Sequence, residues 1–164
     1  EILIGLVGSE MCIRDSCVDD QVYVWKGLRI MGLGGSIRYN REETFQYTEQ
    51  EMRRRMRRLW FKAHRAGGID LLLTHSPAAG LNDGNDRAHK GFACFNDLLE
   101  EYQPKWFVHG HVHLSYNANL PRVCTHGQTT VINATERYTF EIPDPDPVAR
   151  KRFFWNDPAF PTKN

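Results

Sequence analysis

The sequence predicts an α/β domain, and three observations carry that prediction. Two short apolar runs, residues 69–74 and the stretch opening Trp106-Phe107-Val108, each stop at a loop that carries histidine. An amphipathic helical repeat leads into the first run, and a second helical stretch lies between the two. Strands alternating with helices of this length imply crossover connections and a largely parallel sheet. With 164 residues, one domain with a buried core is the expectation.

Taken in order, Gln21–Trp25 and Leu28–Leu33 read as strands joined by a tight turn at Lys26-Gly27. Residues 34–47 are polar and rich in turn formers, as in a loop. Thr48-Glu49-Gln50-Glu51 forms a capping box that opens a helix. Met52, Met56, Leu59, Trp60 and Ala63 recur at helical spacing and predict one buried stripe. Gly67-Gly68 stops that helix, because glycine accepts the left-handed conformation of a helix end. The strand 69–74 follows, then a turn-rich loop over residues 78–90. A second helix carries Phe92, Phe95, Leu99 and Tyr102 on one face, and Pro104 prevents its continuation. After His113 the chain reads as β again, at residues 122–126, Thr129–Asn133 and 138–142, with a turn at Gly127-Gln128.

Composition narrows the function. A formal charge of +1 predicts no strong attraction to nucleic acid or to acidic membrane surfaces. Arg53, Arg54, Arg55, Arg57 and Arg58 alternate with the apolar stripe and are expected to face solvent. No aromatic residues interleave with them as a single-strand platform requires. The four cysteines, at 12, 17, 94 and 124, form no zinc-binding pattern and suit reduced thiols in a cytoplasm. No run is long and apolar enough to span a bilayer.

The chemistry concentrates at the strand ends. Neutral imidazoles are common metal ligands, and a strand places residues i and i+2 on one face, so His111 and His113 can point into a common site. Gly110 is expected to let the backbone turn there. His75 arrives at its own strand end in the same way. Three histidines can form a mononuclear zinc site or the histidine half of a two-metal site. His89, in the loop between the histidine strands, is a candidate to line the pocket or to support a ligand. Arg38 is a candidate contact for an anionic substrate, and Asn133 a candidate to orient a ligand loop. Asp83 and Asp86 are available carboxylates, though turn formation also accounts for them.

Thr74-His75-Ser76-Pro77, His89-Lys90-Gly91-Phe92 and Gly110-His111-Val112-His113, with Met31-Gly32-Leu33-Gly34-Gly35-Ser36 upstream, resemble the C-terminal half of a calcineurin-like metallophosphoesterase. The likeness covers roughly residues 20–140 and implies an α/β sandwich of mixed sheets flanked by helices. It implies a hydrolase of phosphomonoesters or phosphodiesters with two divalent ions, manganese, iron or zinc, and a small phosphorylated substrate. By that resemblance His75 and His111 bind one metal and His113 its partner, about 3.5–4 Å away. The family's Asp-x-His, Gly-Asp-x-x-Asp and Gly-Asn-His-Asp/Glu motifs do not occur in this chain. The bridging aspartate and the general-acid histidine are therefore absent, and the chain is expected to be an incomplete fragment, inactive alone.

Residues 1–16 resemble translated sequencing-adapter sequence and are expected to be non-native. Residues 17–142 make up the C-terminal part of the metallophosphoesterase domain, and 143–164 a proline- and aromatic-rich tail packing partly through Phe153, Phe154 and Trp155. The alternative function is a non-catalytic, mononuclear metal-binding or sensor domain built on His75, His111 and His113.

Overall fold

The computed structural model describes residues 5–7, 10–13, 16–40, 44–116 and 120–143. The proposed packing of Phe153, Phe154 and Trp155 lies outside the described residues. Three short strands, β1 (Gly5–Val7), β2 (Glu10–Ile13) and β3 (Ser16–Cys17), form a small antiparallel sheet of their own. β4 (Gln21–Trp25) and β5 (Leu28–Leu33) make the predicted hairpin, with Lys26 and Gly27 both at positive φ. Within the stretch expected to be a loop, β6 (Ser36–Ile37) pairs with β7 (Gln46–Tyr47) in a two-stranded parallel sheet. The helix α1 (Glu49–Arg65) leads to β8 (Leu71–Thr74), and α2 (Ala93–Tyr102) leads to β9 (Trp106–His109). A single 3₁₀ turn over Leu114–Tyr116 precedes β10 (Val123–His126) and β11 (Thr129–Asn133).

The main sheet has six strands in the order β10-β11-β9-β8-β5-β4. Its four central strands are mutually parallel, and an antiparallel strand closes each edge. Strands covered on both faces read as continuous apolar runs, which is why Leu71-Leu72-Leu73 shows no alternation. Met31, Leu33, Leu72, Phe107 and Val131 turn one face toward α1 and α2. Leu28, Ile30, Leu71, Leu73, Val108 and Ile132 form the core of the other face, where Tyr138, Phe140 and Ile142 pack. These last three do not form the predicted strand. They alternate between half-buried and exposed like one, but they hold the sheet through side-chain packing rather than a hydrogen-bond ladder.

The capping box is present as read: Thr48 Oγ1 accepts from Glu51 N, and the Glu51 carboxylate accepts from Thr48 N. Gly67 and Gly68 end α1 at φ +78 and +112. Two expectations for its faces need correction. Trp60 is exposed at 42% and is not part of the buried stripe. Arg55, expected in solvent, is buried instead, because position 55 lies three residues after Met52 and four before Leu59 on the same side of the helix. Its guanidinium bonds Asp19 at 2.7 Å, Asp20 at 2.8 Å and the Gly34 carbonyl at 2.6 Å, and lies over the Tyr47 ring. Arg54, Arg57 and Arg58 are exposed as expected. Glu49 has a role unseen in the sequence. Phe92 offers α2 no side-chain cap, and the Glu49 carboxylate accepts from Ala93 N and Cys94 N in its place.

Candidate functional site

The four parallel strands all deliver their carboxyl ends to one edge of the sheet, where ligands of open α/β sheets bind. His75 follows β8 there, and the Gly110–His113 loop follows β9. Backbone bonds tie the two loops together: Gly110 N donates to His75 O at 3.0 Å, and His75 N donates to Leu33 O at 3.2 Å. His75 Nε2 and His111 Nδ1 face each other at 3.0 Å, with ring centroids 4.8 Å apart. The sharp turn falls on His111 rather than on Gly110. Val112 N donates to Gly110 O at 2.7 Å, closing a three-residue turn around His111, whose φ is +67. Such γ-turns are rare and strained, and strain of this kind concentrates at functional sites.

The hydrogen bonds fix the protons. A carbonyl only accepts, so the 2.8 Å contact between His111 Nε2 and Ala88 O requires the proton on Nε2. That leaves the His111 Nδ1 lone pair aimed at His75, whose Nε2 donates to it in the metal-free protein. Burial holds His75 neutral, pushed down to about 4, with His111 adding to the effect. Burial also lowers His111, against the opposing bond to Ala88. Neutral imidazoles are the form that binds metal.

These two nitrogens fit one ion. Two ligands at about 2.0–2.1 Å in tetrahedral geometry stand roughly 3.3 Å apart, a few tenths of an ångström wider than the observed pair. Among the described residues, no group of three or more His, Cys, Asp or Glu side chains is arranged to hold a metal ion. Among the described residues, the spacing of these two nitrogens is compatible with one shared ion, and no arrangement for two ions is present.

The other candidates sort by position. His113 is exposed and lies beyond the end of β9, so strand alternation does not place it beside His111. His89 lies next to the pair, its ring 5.3 Å from that of His111, with Nδ1 2.8 Å from Asp86. Asn133 is fully buried and donates from Nδ2 to Val112 O at 2.8 Å, steadying the residue after His111. Arg38 pairs with Glu51 at 2.9 Å, at the start of α1. Asp83 accepts from Gly91 N, and Asp86 from Ala88 N and His89 N, which are turn contacts.

His109 was missed as a residue of interest. It is fully buried beside Phe107, and its Nε2 has no hydrogen-bond partner among the described residues. The signal was its register two residues after Phe107, which turns it to the same inner face. Burial pushes its pKa down to about 4.

No family model matches the chain. A UPF0046 protein of Caenorhabditis elegans is 38% identical over 73 residues, 40% of this chain and 24% of that protein. Metallophosphoesterase domain-containing protein 1 of Homo sapiens is 32% identical over 71 residues, 42% of this chain and 20% of that protein. Over these stretches the chain is similar to proteins that include one named for a metallophosphoesterase domain. The chain matches only a quarter or less of these relatives' length. One solved structure superposes at a TM-score of 0.52 with 18% identity, covering 73% of this chain and 45% of that one. The likeness is one of fold alone, a mixed six-stranded α/β sheet with helices packed on it.

Proposed function

We propose that the intact protein is a metal-dependent phosphoesterase and that this chain carries the histidine side of its metal centre. The observation that carries this reading is the pair of neutral ring nitrogens, His75 Nε2 and His111 Nδ1, facing each other 3.0 Å apart at the carboxyl edge of the parallel sheet. Divalent ions there would act as Lewis acids, stabilising charge that develops on a phosphoryl group. Manganese, iron and zinc all suit mixed histidine and carboxylate ligation. His75 and His111 would hold one ion, and His113 is assigned to the second. The strained turn, the Ala88 carbonyl and Asn133 fix His111 before any ligand arrives, so little reorganisation accompanies binding.

Among its described residues this chain offers no bridging carboxylate, and a second ion would be poorly compensated. We therefore expect the 164-residue chain to lack enzyme-like turnover. Loss of one preorganised electrostatic contact typically costs about 10²–10³ in rate, and several are missing. A second reading, a non-catalytic site for a single ion, is favoured for the isolated chain by the convergence of two nitrogens alone.

The test is hydrolysis of chromogenic phosphomonoesters and phosphodiesters with excess manganese, using protein from the full reading frame and the 164-residue chain. The full-frame protein should turn over an ester and lose at least about 10²-fold in its His111→Ala variant. The 164-residue chain should not exceed its own His111→Ala background. A metal-loaded full-frame protein that hydrolyses neither ester overturns the hydrolase reading.

A further inference from the structure

We propose that Asp86 is a positioning residue for the histidine pair: it folds the Asp86–His89 turn so that the Ala88 carbonyl holds His111 with Nδ1 facing His75. The inference rests on the reading of His75 and His111 as ligands of one ion.

The turn is organised around one carboxylate. Asp86 Oδ1 accepts from Ala88 N at 2.9 Å and from His89 N at 3.0 Å, and Oδ2 lies 2.8 Å from His89 Nδ1. The His89 backbone is fastened at its other side, where Gly84 N donates to His89 O at 2.8 Å. The fit there is close: a Cβ on Gly84 would stand 2.6 Å from His89 Cβ. With the amides of residues 88 and 89 both turned toward Asp86, the Ala88 carbonyl points away from it and accepts from His111 Nε2 at 2.8 Å.

This contact decides the chemistry of His111. Ligating histidines generally carry their other ring nitrogen on a carbonyl or carboxylate, which sets both tautomer and ring orientation. With the proton on Nδ1 instead, His111 would lose Ala88 and direct an N–H at His75, whose lone pair would no longer share an ion with it. Asp86 touches neither His75 nor His111 in any described hydrogen bond. Its charge also reaches His111 as a minor electrostatic influence, but it positions the ring through the backbone it folds.

The experiment uses the full chain with Asp86→Ala and, independently, Gly84→Ala, which displaces the same turn without altering any titratable group. Two readouts are taken: imidazole ¹⁵N shifts of the metal-free protein, and Zn²⁺ affinity by competition titration. In the parent chain His111 should show a single tautomer with the proton on Nε2. Both variants should move its ¹⁵N shifts toward tautomer averaging and weaken Zn²⁺ about 10–100-fold, the range for loss of a ligand's supporting contact. Asp86→Asn, which keeps Oδ1 on the two amides, should stay within about threefold of the parent. If Asp86→Ala does not fold, Gly84→Ala decides alone.

Unchanged His111 shifts in the variants overturn the proposal, and so does weakened Zn²⁺ binding without a tautomer change. Failure of the ligand reading has a different signature: His75→Ala and His111→Ala leave Zn²⁺ affinity intact while the tautomer response to Asp86→Ala persists.

Discussion

Replacing Arg55 with methionine removes the one buried cation of α1 while keeping much of its apolar stem. Arg55 ties the helix to Asp19 at 2.7 Å, to Asp20 at 2.8 Å and to the Gly34 carbonyl at 2.6 Å. Breaking a buried ion pair from one side costs about 3–5 kcal/mol, because the remaining charge stays buried and unpaired. Asp20, with its side chain 49% exposed, regains water and contributes little. Asp19, only 19% exposed, keeps the Gly34 amide at 2.6 Å but loses its counter-charge. The Gly34 carbonyl loses its partner as well, a further penalty of about 1–3 kcal/mol if water does not reach it. Allowing for partial relief by solvent, we expect Arg55→Met to cost about 2–4 kcal/mol. Arg55→Lys should fall between, since an ammonium keeps the charge but not the fork that bonds both aspartates. The assay is urea denaturation followed by tryptophan fluorescence, with Asp19→Asn and the double variant completing a cycle. A coupling of about 1–3 kcal/mol is expected. A loss below about 1 kcal/mol for Arg55→Met, with no coupling to Asp19, would refute the anchor described here.

His111→Gly should be more stable than His111→Ala by about 1–2 kcal/mol in the same assay, because glycine alone accepts a φ of +67 without penalty; an alanine variant of equal or greater stability would show that the turn is not strained. His109 stays neutral in the fold with its pKa pushed down to about 4, whereas an unfolded histidine titrates near 6.5. Its contribution is therefore complete above pH 6.5 and is lost as pH falls toward 4, where the unfolded chain takes up the proton first. His109→Phe should remove roughly 2–3 kcal/mol of the stability lost between pH 7 and pH 4.5, and an unchanged pH dependence would show that His109 is not the buried group responsible.

Features set by neighbours in sequence were legible, and features set by distant partners were not. The β4–β5 hairpin, the Thr48 capping box and the apolar runs of β8 and β9 declare themselves within a few residues. So did the delivery of His75 and His111 to one edge, since adjacent parallel strands end together. Arg55 was misread because its aspartates lie 35 and 36 residues away, before β4. Glu49 caps α2 from 44 residues away, which no local pattern reveals. The alternation of Tyr138, Phe140 and Ile142 marks an extended segment lying on a sheet face as well as a strand within a sheet. At the site, the expectation of i and i+2 on one side for His111 and His113 assumed that the strand continued. It ends at His109, and the positive φ at His111 breaks the regular alternation before His113.

Joint possession of one ion by His75 and His111 is tested most directly by Zn²⁺ affinity across a double-mutant cycle of His75→Ala and His111→Ala. If both nitrogens ligate the same ion, each single variant should remove most of the affinity and the second replacement should add little. Losses that simply add, or single variants that bind Zn²⁺ as tightly as the parent chain, would contradict a shared metal site at the end of β8 and β9.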